Sequence, residues 1–185
     1  MCLPRTILLI TALLVSQSIF AQGSAFGDAA TADDIQTVFW AAFPDGEYLP
    51  EGSGTAVEGE VIYQQQCLAC HGVGGKDGIA DRLLRHTADE IAENPKLKKT
   101  IGTYWPYAIG VFDYIRRAMP LTAPMSLSND DYYALTAYLL YINGIVDEST
   151  LIDKTSLPGV SMPNQNGFIN ALEGIPTRYD FANEK

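Results

Sequence analysis

The feature that most constrains this 185-residue chain is the run Cys67-Leu68-Ala69-Cys70-His71. C-x-x-C-H is the attachment signature of c-type haem. The spacing has a physical reason. Two cysteines three apart lie on one side of a helical turn. Both sulfurs can then reach the two vinyl-derived carbons on one edge of a porphyrin. The adjacent histidine can swing under the ring and place an imidazole nitrogen on iron. Other uses of the pair fit less well. A thioredoxin-like redox pair wants a strand before it, whereas a helical stretch leads in here. Zinc needs more ligands at suitable spacing, and beyond the N-terminal stretch only His86 is left to supply one.

That N-terminal stretch reads as a secretory signal over residues 1–25. Arg5 supplies a positive start, and Ile7 to Phe20 is an apolar run broken by Thr11, Ser16, Gln17 and Ser18. Ala21, Gly23 and Ala25 offer cleavage points. The run is too short and interrupted for a membrane span, which needs ~20 apolar residues, so no stable membrane insertion is expected. Cys2 leaves with the signal. Export to a periplasm follows, and thioether formation explains two cysteines without a disulfide in an oxidising compartment.

The charge is lopsided, with 22 acidic against 12 basic residues and a net −10. An acidic body repels phosphate, so nucleic acid is excluded as a partner. A partner with a basic docking patch is one reading of that charge; the other is that acidity only keeps a periplasmic protein soluble. Lys96, Lys98 and Lys99 make a small basic cluster, read as a solvated face.

Four stretches separate after that: the signal, a lead-in over 26–54, a compact unit over 55–146 and an extension over 147–185 rich in proline at first. Inside the unit three helices are expected. The first spans about 56–70, with Gly59, Tyr63 and Cys67 on one face. The second spans about 106–118, with Pro106 in its first turn. The third starts at Ser128, where Ser128 and Asp131 resemble a capping box, and stops near Gly144. The first and third should cross near Gly59 and Tyr138. A weaker helical piece is expected at 87–93, and no strand pair.

An iron held by His71 needs a sixth ligand or an open face. The candidates are Met119, Met125, Met162 and His86. Met119 precedes Pro120 and so is pushed to an extended conformation, which suits a strap between two helices. Met125 shares that loop. Met162 lies beyond the last helix and could simply fill core, and His86 reads as a surface residue. In Tyr104-Trp105-Pro106-Tyr107, the Tyr104 hydroxyl and Trp105 indole could donate to a haem propionate, or simply pack. Arg116 could pair with a propionate, as could Arg117, though a helix end in solvent suits at least one of them.

Taken together, these runs resemble a known family. The carriers are the haem motif followed by Gly72 and Gly74, Gly102 to Tyr107, Phe112 to Pro120, Ala134 to Leu140, and Ser156-Leu157-Pro158 with Met162-Pro163-Asn164. The chain resembles, over about residues 27–170, the class I cytochrome c subunits that accompany sulfite-oxidase-like molybdenum enzymes in bacterial sulfur oxidation. These are the cytochrome subunit of sulfite dehydrogenase and the haem subunit of sulfane dehydrogenase. The resemblance implies an all-α class I cytochrome c fold with irregular N- and C-terminal extensions. It implies one covalent haem c, ligated at His71 and Met119, and no catalytic residues in this chain. It implies a molybdopterin catalytic subunit as electron donor and a downstream cytochrome or oxidase as acceptor. The lead-in and the Leu157 to Phe168 tail would lie on the catalytic partner. Some sulfane dehydrogenase haem subunits carry a second haem; this chain has one attachment motif.

Overall fold

Three helices of this protein begin at a hydroxyl residue whose acidic partner sits three positions on. The structure, a computed structural model, describes Thr31, residues 41–97 and residues 99–168. The expected signal, the lead-in through Trp40 apart from Thr31, Lys98 and residues 169–185 lie outside the described residues. Residues 41–168 belong to one unit of the chain, Phe39–Lys185. In chain order its elements are β1 (Ser53–Gly54), α1 (Ala56–Gln66), α2 (Leu68–His71), α3 (Ala88–Glu93), α4 (Ile101–Tyr104), α5 (Ala108–Ala118), α6 (Asn129–Ile142) and β2 (Ile152–Asp153). Single 3-10 turns occur at Val73–Gly75 and Leu157–Gly159. The architecture is all-α, as expected.

The caps explain where the helices start. Thr55 N–H donates to Glu58 Oε2 at 2.8 Å and Glu58 N–H returns to Thr55 Oγ1, fixing α1. Thr87 with Glu90 does the same for α3, and Ser128 with Asp131 for α6. Each box satisfies backbone donors that a helix start leaves orphaned. The expected first helix is in fact two. At Cys67 the backbone leaves helical geometry (φ −120, ψ −31), so α1 ends at Gln66 and the haem motif rides on its own turn, α2. The second expected helix starts two residues late, at Ala108. Tyr107 is extended, and Pro106 sits in the bend before the helix. That bend folds the Trp105 ring back over Gly110 of α5.

The core sits where α1 and α5 pack on α6. Helices α1 and α6 meet at Gly59 and Tyr138, as the sequence suggested. A methyl group on Gly59 would overlap the Ala134 carbonyl and come within 2.8 Å of Tyr138 Cβ. Only a residue without a Cβ lets the backbones this close. Beside the crossing, the Tyr63 and Tyr138 rings pack at 5.0 Å between centroids. Phe112 of α5 packs against Tyr133 at 4.5 Å and edge-on to Tyr132. These tyrosines bury their rings yet satisfy their hydroxyls on backbone: Tyr63 donates to Gly72 O, Tyr133 donates to Pro50 O, and Tyr132 accepts from Leu127 N–H. Burial pushes the Tyr63 phenol up to about 12, so it stays a donor at ordinary pH.

Two expectations are corrected. A strand pair does exist: β1 and β2 are antiparallel, with Ser53 opposite Asp153 and Gly54 opposite Ile152. Its two-residue strands are too short to leave a periodicity. The extension after 147 is also not simply spare surface. Ile152, Leu157 and Met162 are buried in the core. Met162 is therefore core filling. At the other end, Ala42 N–H donates to Asp113 Oδ1 at 3.0 Å, tying the lead-in to α5, and Asp113 is held in turn by Arg117.

The Gly59 contact gives the first prediction. Gly59→Ala should destabilise the holoprotein by about 1–3 kcal/mol through overpacking. Denaturant unfolding of wild type and variant, followed by helical circular dichroism, measures it. A shift below the error of the midpoint would remove the crossing from its place in the fold.

Candidate functional site

The motif turn α2 opens onto a mostly apolar cavity of about 580 Å³. Its wall draws on Tyr63, Gln66, Cys67, Cys70 and His71 on one side. Residues 80–83 and Lys99, Thr100, Ile101 and Trp105 add to it. From α5 come Val111, Tyr114 and Ile115, and from α6 Leu135 and Leu139. Met119, Pro120 and Leu121, in the strap after α5, complete the lining. This volume falls in the ~300–1,000 Å³ range of cofactor sites.

Each chemical group is placed by local structure. Gly72 closes α2 with φ +75, a left-handed value that favours glycine. The chain then doubles back, so that Ala80 N–H donates to Cys70 O at 2.8 Å. That return sets Asp81 O 2.9 Å from His71 Nδ1. A carbonyl can only accept, so Nδ1 carries the proton and Nε2 keeps its lone pair for a metal. Met119 is extended (φ −128, ψ 145) as expected before proline, and its peptide to Pro120 is cis.

The two thiols are not joined to each other. Burial, with the neighbouring Cys70 second, pushes the Cys67 thiol up to about 11. A thiol–disulfide enzyme needs a thiolate near neutral pH, and Cys67 would not supply one. Among the described residues no cluster of three His, Cys, Asp or Glu side chains could hold a bare metal ion.

The cavity thus gathers five of the seven residues singled out in the sequence: Cys67, Cys70, His71, Trp105 and Met119. Tyr104 and Arg116 are not on its lining. Tyr104 is partly exposed, packs edge-on against Phe168 and carries the Lys99 ammonium over its ring. Arg116 lies where its charge is felt by the Tyr133 phenol, and Tyr133 reaches Pro50 beside β1. Of the other ligand candidates, Met125 is exposed, and neither it nor Met162 lines the cavity. His86 is not the surface residue expected; its side chain is 9% exposed and lies 3.7 Å from Glu90.

Sequence reasoning missed Asp81, Arg82 and Lys99. A backbone acceptor such as Asp81 O has no residue signature at all. Arg82 lines the cavity while its guanidinium is clamped. Nη1–H donates to Glu90 Oε1 at 2.9 Å, Nη2–H to Oε2 at 3.3 Å and Nε–H to Leu84 O at 3.0 Å. A second hollow of about 660 Å³, lined by Gly144, Ile145 and residues 161–167, holds no charged side chain.

The residues present fit a c-type haem. The apolar wall suits a porphyrin face, two thiols stand beside an imidazole with a free Nε2, and a thioether shares the same enclosure. Nitrogen and sulfur ligands of this kind are those of haem iron in electron carriers.

Comparisons with known proteins agree with that fit. Residues 54–139 match the family described as cytochrome C oxidase, cbb3-type, subunit III. The chain is 29% identical over 128 residues to thiosulfate dehydrogenase of Allochromatium vinosum, covering 69% of this chain but 43% of that protein. The chain therefore spans less than half the length of that curated relative. The fold superposes on the crystal structure of the sulfane dehydrogenase SoxCD from Paracoccus pantotrophus with a TM-score of 0.72 and 32% identity. That match covers 88% of this chain and 79% of the other.

The Arg82–Glu90 clamp at the cavity mouth carries a pH signature. Thr87 N–H first, and Arg82 second, hold the Glu90 carboxyl down at about 2, from an ordinary 4.5. A depressed carboxylate contributes stability that is present above its unfolded value and lost as pH falls through the folded one. The window is therefore about pH 4.5 to 2. Glu90→Gln should flatten the acid limb of a stability–pH curve inside that window and leave it unchanged at neutral slope. Equal slopes for both proteins would show that the clamp does not couple to folding.

Proposed function

This chain belongs to the Sox-type cytochrome c subunits, and from that premise we propose that it is the electron-transfer subunit of a sulfur-oxidising dehydrogenase. The observation that carries the reading is the convergence of Cys67, Cys70, His71 and Met119 on one apolar cavity.

In this reading Cys67 and Cys70 would hold one haem c covalently, and His71 and Met119 would supply the nitrogen and sulfur ligands to its iron. Bound there, haem supplies a one-electron iron couple. The protein does the rest. Asp81 O fixes the His71 tautomer and ring orientation, which also raises its strength as a ligand. Met119, bound to that iron, would raise the reduction potential and keep small molecules off the metal. Tyr63, Leu135, Leu139 and Val111 exclude water. This reading assigns the chain no catalytic residue and places the substrate reaction on a molybdopterin catalytic subunit. A downstream cytochrome or oxidase takes the electron. The resemblance in sequence and the SoxCD match support that assignment; sulfite and sulfane remain the two substrate classes for the partner. Periplasmic location, through the N-terminal signal, goes with covalent haem.

Met119→Ala should abolish the weak long-wavelength absorption that reports sulfur on ferric iron and should lower the potential. Met125→Ala should do neither. The reverse result would assign the ligand to Met125 and leave the function standing.

A mixing experiment tests the role itself. The purified chain should copurify with its catalytic subunit. When sulfite or a sulfane-bearing carrier is supplied, its haem band should reduce. Haem that stays oxidised, while the same enzyme turns over with an artificial acceptor, would point to a free-standing periplasmic carrier instead.

A further inference from the structure

A haem carries two propionates, and a carboxylate pressed against a mostly apolar wall needs a compensating donor or charge. Two lysine or arginine side chains line the cavity, Arg82 and Lys99. Arg82 is charge-paired with Glu90, and each of its three nitrogens already donates, to Glu90 and to the Leu84 and Arg85 carbonyls. Lys99 pairs with no carboxylate among the described residues. Its Nζ instead sits 4.4 Å from the centroid of the Tyr104 ring.

That position is built rather than accidental. Lys99 directly precedes Thr100, which is buried and caps α4 through reciprocal bonds with Thr103. The Lys99 backbone is therefore fixed at the wall. Tyr104, at the other end of α4, is held twice from the extension. Asn164 Nδ2–H donates to its carbonyl at 2.7 Å, and Phe168 packs edge-on at 5.3 Å. An aromatic face steadies an ammonium without neutralising it, so its charge and the N–H donors that point away from the ring stay available.

We propose that Lys99 binds a haem propionate, and that Tyr104 is the positioning residue that aims it. This rests on the haem reading above. It moves the propionate contact from Arg116 to Lys99 and from the Tyr104 hydroxyl to the Tyr104 ring face. The other titratable groups facing the cavity are Asp81, Arg82, Tyr63 and Tyr114, besides the ligand His71. Arg82 is committed to Glu90, which leaves Lys99 to keep the propionate ionised.

The test is the midpoint potential of the purified holoprotein, without partner, measured across roughly pH 5 to 8. Wild type should be flat in that range. Lys99→Gln should lower the potential, because an uncompensated carboxylate favours the more positive ferric state. It should also introduce a pH-dependent region, as the propionate now takes up a proton on reduction. Lys99→Arg should restore both readings. Tyr104→Leu should move the potential partway, whereas Tyr104→Phe, which keeps the ring, should not. Arg116→Gln should read as wild type. Wild type shows a potential only if the haem is there, so the haem reading is scored on wild type and the Lys99 reading on the variants. A Lys99→Gln protein with unchanged potential and flat profile overturns the proposal. So does a shift that appears in Arg116→Gln instead. If Tyr104→Phe behaves like Tyr104→Leu, the hydroxyl and not the ring face is in use, and the positioning role falls.

Discussion

Where Gly59 faces Ala134, two helix backbones meet with no side chain between them. The cavity depends on that closeness. Helix α1 brings Tyr63 to the wall and leads into α2 with Cys67, Cys70 and His71; α6 brings Leu135 and Leu139. The separation of α1 and α6 is thus set at a point outside the cavity, and the width of the slot follows from it. Gly54 rests on the same Ala134. One residue of α6 consequently locates both the strand pair and the helix that delivers the motif.

The second constraint is electrostatic. A slot lined by apolar side chains must also hold an imidazole, a guanidinium, an ammonium and a carboxylate at its edge. The chain manages this by giving three of them a partner within the protein. His71 leans on a carbonyl, Arg82 on Glu90, and Lys99 on an aromatic face. A buried polar group left unpaired is costly. Here the pairing also fixes where each group points, so stability and site geometry come from the same bonds.

Much of this could be read from the sequence, and the reasons differ by residue. C-x-x-C-H is decisive because covalent attachment needs that spacing. The Gly59 and Tyr138 crossing was legible because a glycine on an apolar helical face has few other uses. Ser128 with Asp131, and Met119 before Pro120, were legible from local backbone physics. What escaped were tertiary facts with weak local signals. Cys67 breaks the helix although nothing in its neighbours is a breaker. Strands β1 and β2 are two residues each, and 99 positions separate their first residues. Lys99 lay in a cluster of lysines that composition alone reads as solvated. Tyr104 and Arg116 were chosen for their chemistry, and the fold set them off the lining while bringing Lys99 onto it.

The seam between α1 and α6 has a meaning for the chain before it ever meets its cofactor. Gly59, Ala134 and Tyr138 do not line the slot, and the caps at Thr55 and Ser128 are local to their own helices. Nothing in the seam waits for a porphyrin. A haem-free polypeptide can therefore join these two helices first, holding the motif turn at the end of α1 beside the slot. Both cysteines then stand on a turn already tied to α1, because Cys67 N–H donates to Tyr63 O and the Tyr63 hydroxyl donates to Gly72 O.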